Sequence, residues 1–135
     1  MKLSRQEEIA LLLVSELAYS KDTFVSLSDV ADKHGVSSLF LKKIARMLKN
    51  QGLVRSKEGL NGGYMLGKPA EEMSAWNVME AVGGKTLGTE ESKSIFICPL
   101  RASCVPQTIR HLISESLKRY LSDVTIDQFI KTKSL

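Results

Sequence analysis

Two cysteines, Cys98 and Cys104, are the only thiols in this 135-residue sequence. A thiol pair can ligate a metal, close a disulfide or sit inert in a core. Six positions apart in one helix, the two would be separated by about 9 Å of rise, too far for a disulfide. Pro99 and Pro106 place both instead in a loop before a helix, where a disulfide can close. Cys104 would precede that helix's N-terminus, a position that favours thiolate. Few other groups could do covalent chemistry. The sequence has no Ser-His-Asp logic and no His-Glu-x-x-His. Gly83-Gly84-Lys85-Thr86 ends like a phosphate-binding loop, but Met79 stands where its first glycine belongs and the run follows a helix rather than a strand. We read it as a loop and expect no enzyme.

A second set of groups is cationic. Between positions 37 and 68 stand Lys42, Lys43, Arg46, Lys49, Arg55, Lys57 and Lys68 against a single acid, Glu58. The remainder of the chain is slightly acidic, although the net charge is +4. A basic block beside an acidic remainder is the footprint of a polyanion-binding face. A lysine-rich, merely solvated helix face is the competing explanation.

The elements that must position these groups are mostly helical. Ser4 and Glu7 have capping-box spacing before an apolar run from Ile9 to Leu17 that ends near Tyr19. A short second helix is capped by Ser26, with Leu27, Val30 and Ala31 inward, and stops at His34-Gly35. The third follows Ser37 and runs to about Asn50. Leu41, Ile44, Ala45 and Leu48 form its apolar stripe, and Leu39, Lys43, Arg46 and Asn50 lie opposite with Lys42 on the flank. Two short helices joined by a Gly-Val-Ser-Ser turn are a helix-turn-helix signature. Residues 53–56 and 64–66 read as strands around a glycine-rich reversal, a β-hairpin wing. Ser74 caps a helix through Val82. Pro106 opens a long helix on which Ile109, Ile113, Leu117 and Tyr120 recur at helical spacing. Thr125 and Gln128 cap a last short one.

The expected fold is therefore mainly α: a winged helix-turn-helix with a small hairpin wing (residues 1–68), then a helix, a sensor loop and a long C-terminal dimerisation helix (residues 69–135), packed as one compact unit. No apolar run approaches the roughly 20 residues of a membrane span. The charged start, Met1 to Glu8, lacks the features of a secretory signal. A cytoplasmic protein without a membrane partner is expected.

A duplex major groove accepts one helix, and a helix-turn-helix offers its second. Expected DNA contacts are Ser28, Ser38, Leu39, Lys42, Lys43 and Arg46, joined by Arg55, Lys57, Asn61 and Tyr64 of the wing. Lys42, Lys43 and Arg46 suit phosphates, with Lys43 the best candidate for a guanine. Ser37 is the better cap and Ser38 the better DNA donor. Ile109, Ile113, Leu117 and Tyr120 suit self-association, although the long helix could instead pack in cis against the first helix.

The chain resembles the Rrf2 family of bacterial transcription regulators. The carrying residues are Met-Lys-Leu-Ser at positions 1–4, Val36-Ser37-Ser38 into Phe40-Leu41, the stretch from Asn50 to Val54, Gly62-Gly63-Tyr64-Met65-Leu66-Gly67, and Val124-Thr125-Ile126. The resemblance covers nearly the whole chain. It implies a homodimer joined through the long helix and regulation, repression above all, at palindromic operators. Many members hold a redox- or nitric-oxide-sensing iron–sulfur cluster on three cysteines. Against that pattern Cys98 and Cys104 match the second and third, the first falls near Ser92, and a fourth-ligand position falls at Gln107. The resemblance leaves three readings of the pair: a cluster completed by Glu8 or His111, a thiol switch, or two packed thiols. Glu58 stands where some members place a minor-groove arginine, with Lys57 beside it as substitute. Outside DNA regulation, the rival class is a winged-helix protein-interaction adaptor.

Overall fold

The computed structural model describes residues 3–83 and 105–133. Helix α1 (Arg5–Tyr19) begins where the capping spacing placed it. The Glu7 backbone N–H donates to Ser4 Oγ and the Ser4 N–H donates to the Glu7 carboxylate, both at 3.2 Å. Seven of its residues are buried, Ile9, Leu13, Val14 and Leu17 among them, so α1 forms the centre of the molecule. Glu7 is fully buried as well, which the sequence pattern did not show.

Helix α2 (Leu27–His34) ends on Gly35 in the left-handed conformation at φ 63°. Ser26 occupies its N-cap but its side chain makes no capping hydrogen bond, contrary to expectation. The helix entry is held by backbone instead: Val25 and Tyr64 exchange two N–H···O bonds of 2.8 Å. Helix α3 (Ser38–Asn50) starts at Ser37, whose hydroxyl accepts from the Phe40 N–H at 3.3 Å.

Strands β1 (Val54–Lys57) and β2 (Gly63–Leu66) pair antiparallel, Val54 opposite Leu66 and Lys57 opposite Gly63. Strand β1 runs one residue later than the sequence reading at both ends, and β2 begins one residue earlier. After a 3-10 turn at Ala70–Glu72, α4 (Ala75–Ala81) opens with a reciprocal Ser74–Asn77 box. Helix α5 (Val105–Asp123) is the long one, and α6 (Ile126–Lys133) closes the chain behind a Thr125–Gln128 box.

The main core joins α1, α2, α3 and β1 to the far end of the chain. Ile126 is fully buried with the residues of α1 and α3. Its N–H donates to the Met73 carbonyl at 2.8 Å, and the Ala75 N–H donates to the Val124 carbonyl at 2.9 Å. The C-terminal helix is thus part of the platform that carries the helix-turn-helix. A smaller cluster of Trp76 and Met79 receives Leu11, Leu117 and Leu121 and joins α5 to α4, with the Lys118 ammonium 5.3 Å from the indole centroid.

One ion cluster locks α2 to α1. The Glu16 carboxylate meets His34 Nε2 at 2.9 Å and Lys33 Nζ at 3.2 Å. Burial raises the Glu16 pKa, but hydrogen bonds and charge from His34 and Lys33 outweigh it, so the carboxyl titrates below its ordinary value of 4.5. A group whose folded pKa is depressed stabilises the fold above its unfolded pKa, and that contribution is lost as pH falls through the folded value. Glu16→Gln therefore lowers stability in urea unfolding at neutral pH, and the gap between variant and wild type closes in acid well below 4.5.

Candidate nucleic-acid interface

The roll of α3 about its axis is set by Leu41, Ile44, Ala45 and Leu48, all fully buried. The opposite face is consequently open: Ser38, Leu39, Lys42, Lys43, Arg46, Lys49 and Asn50 are exposed. Five of these, Leu39, Lys42, Lys43, Arg46 and Asn50, form a single stripe at helical spacing. Ser28 is exposed in the first turn of α2. Ser38, in the first turn of α3, lies at the positive end of the helix dipole, which favours an anion there.

The wing stands beside this face because three contacts hold it. Lys49 Nζ donates to Ser56 Oγ at 2.7 Å, bridging α3 to β1. The Lys57 ammonium lies 5.8 Å from the Phe24 ring centroid, at the turn end of the hairpin. The third contact is the Val25–Tyr64 backbone bridge. It makes β2 the middle of three extended segments, and it requires Gly63: at φ 144°, a Cβ there would sit 2.3 Å from the Val25 carbonyl oxygen. The sequence counted Lys49 only as one charge of the basic block and gave no sign of Phe24 or Val25; backbone pairing such as that of Val25 leaves no side-chain signal.

The expected wing contacts divide. Arg55, Lys57 and Asn61 are exposed. Arg55 Nη2 reaches Met65 Sδ at 3.2 Å across the hairpin, and Asn61 takes a left-handed φ of 62° in the turn. Tyr64 is half-buried and packs against the main core, so it positions the wing. The tip from Glu58 to Gly62 carries no basic residue, and its Leu60 is 96% exposed.

On α5, Ile109, Ile113 and Tyr120 are exposed, with Leu112 beside them. Leu112, Ile113 and Tyr120 line a shallow apolar groove with Ser116 and Leu117. Leu117 is only half-buried there because it also packs in cis on Trp76 and Met79. Cys98 and Cys104 lie outside the described residues. Glu8 and His111 are both exposed, and Glu8 Oε2 lies 3.7 Å from Arg5 Nη1. Among the described residues, no cluster of three or more His, Cys, Asp or Glu could hold a metal ion, and no helix is long and apolar enough to cross a membrane.

A two-helix reader, a short wing and a long trailing helix define a winged-helix transcription regulator. The family model described as Rrf2, iron-dependent transcriptional regulator, matches residues 3–132, and the chain belongs to that family. Regulator IscR of Pectobacterium atrosepticum is 28% identical over 142 residues, spanning 100% of this chain and 82% of that protein. The global cysteine regulator CymR of B. subtilis superposes with a TM-score of 0.76 at 24% identity, over 98% of each chain. The oxidized form of Staphylococcus aureus CymR gives 0.76 at 26% identity, over 96% of each. These relatives are transcription regulators, not enzymes.

Iron in the family description invites a test of the donor set. Iron–sulfur clusters are held by four ligands, thiolates in most cases. This sequence supplies two cysteines. One chain does not fit a cysteine-held cluster.

The wing's dependence on Gly63 is checkable. Gly63→Ala forces a methyl group into the Val25 carbonyl. It lowers stability by about 1–3 kcal/mol, the range for an enforced backbone strain, read from urea midpoints. The same substitution at Gly59 meets only the strain of its φ of 92°, with nothing within 4 Å of a new Cβ, and costs less.

Proposed function

We propose that this protein is a sequence-specific duplex-DNA-binding repressor, acting in the cytoplasm as a homodimer on a palindromic operator. The observation that carries the reading is the exposed cationic stripe of α3 beside the wing, on a helix whose other face is locked into the core. Helix α3 enters the major groove. Lys42, Lys43 and Arg46 contact phosphates, which supply affinity and register, and Lys43 also reaches a guanine edge. Ser28 and Ser38 donate to the backbone from the two helix starts. Arg55, Lys57 and Asn61 bring the wing onto the neighbouring strand.

Residues 1–68 do the reading and residues 69–135 pair two copies. The apolar face of α5, with Ile109, Ile113 and Tyr120 exposed and Leu117 at its inner edge, is the surface that fits a second copy. Two readers related by a dyad then meet half-sites about 34–36 Å apart, one turn of duplex. The reading takes Cys98 and Cys104 as the point where a redox or nitric-oxide signal enters, and the existence of an oxidized form of a CymR relative supports a redox response. Since two thiols fall short of a cluster, protein purified without oxygen is expected to be colourless. Visible absorption bands with stoichiometric iron and sulfide would contradict the thiol reading and turn attention to Glu8 and His111 of a second copy.

The reading is tested by Lys43→Ala combined with Arg46→Ala. Both residues are exposed, so the fold and the oligomeric state, read by sedimentation, should stay unchanged while binding to a promoter duplex is abolished in fluorescence anisotropy. Undiminished binding by the double variant would remove α3 as the reader.

A further inference from the structure

Leu39 is out of place on the surface it occupies. It is 77% exposed, and among the exposed residues of α3 it is the one large apolar side chain, surrounded by Ser38, Lys42, Lys43 and Arg46. A single exposed leucine is ordinary on a protein surface. This one differs by its position. It stands in the first turn of α3, the part of a reading helix that meets base edges, and on the stripe shared with Lys43 and Arg46. Its direction is fixed, because Phe40 and Leu41, the next two residues, pack against and into the core.

Leucine cannot donate to a phosphate. Pressed against the acceptors of guanine or adenine, it would strip their water and return no hydrogen bond. One base offers a major-groove edge with an apolar group to match, the C5-methyl of thymine. We propose that Leu39 is a specificity-determining residue that packs on a thymine methyl group in each half-site. Leu39 and Lys43 are four residues apart, about 6 Å along the helix. With base pairs about 3.4 Å apart, the thymine and the guanine met by Lys43 fall within about two base pairs of each other. This inference rests on the DNA-binding reading given above and specifies which base feature that site recognises.

The test uses the full chain. A binding site is first selected from a random-sequence duplex pool, and its thymines are then replaced one at a time by deoxyuridine. That change keeps every hydrogen-bonding group and removes only the methyl. Wild-type protein should lose about fourfold in affinity at one thymine per half-site, the worth of one buried carbon. Leu39→Ala should bind thymine and deoxyuridine sites equally, and Leu39→Met, still apolar, should retain a preference for thymine. If every thymine can be replaced without loss, or if Leu39→Ala keeps the full methyl dependence, the inference fails while DNA binding stands. If no duplex is bound at any salt concentration, the DNA-binding reading falls and this inference falls with it.

Discussion

Everything on the reading face follows from how α3 is gripped from behind. Leu41, Ile44, Ala45 and Leu48 have no accessible surface, and α1, α2 and β1 together supply the wall they pack against. A helix held along one stripe can present only the opposite stripe, and here that stripe carries Lys42, Lys43 and Arg46 with Leu39 at its leading end. Losing the grip would leave the charges in the chain but remove their common direction. The proposed phosphate recognition depends on that direction, because the phosphates of a duplex are fixed in space.

The same core explains why the molecule cannot be cut cleanly into a reader and a tail. Ile126 is buried with α1, and main-chain bonds tie Met73 and Ala75 to the turn before α6. The final helix braces the back of α1, while α5 leans on α4 through Trp76, Met79, Leu117 and Leu121. The front and back of α1 therefore communicate through one continuous set of contacts. The Glu16–His34–Lys33 cluster adds a polar clamp between α1 and α2, so the helix that precedes the reader is held by charge as well as by packing.

Local chemistry was legible in the sequence, and long-range pairing was not. The ends of α1 and α3 were readable because Ser4, Glu7 and Ser37 carry capping side chains, and the roll of α3 because its apolar residues keep a 3.6-residue period. Ser26 misled: it has the right residue type for a cap, but the Val25–Tyr64 backbone bridge already fixes that helix entry. No side chain advertises such a bridge, which also explains why the need for glycine at position 63 and the scaffold role of Tyr64 emerged only in three dimensions. Leu117 fits a dimer stripe by spacing, yet half of it is taken by Trp76 in cis. The exposure of Leu39, by contrast, was implicit in the helical period from the start.

The proposed contact of this face with duplex DNA runs through the phosphates. The most direct measurement is the affinity for a non-specific duplex across a series of salt concentrations. The logarithm of the binding constant should fall linearly with the logarithm of salt, by about 0.9 for each phosphate neutralised, with a slope spanning several phosphates. Binding that does not change with salt, or no binding even at low salt, would contradict it.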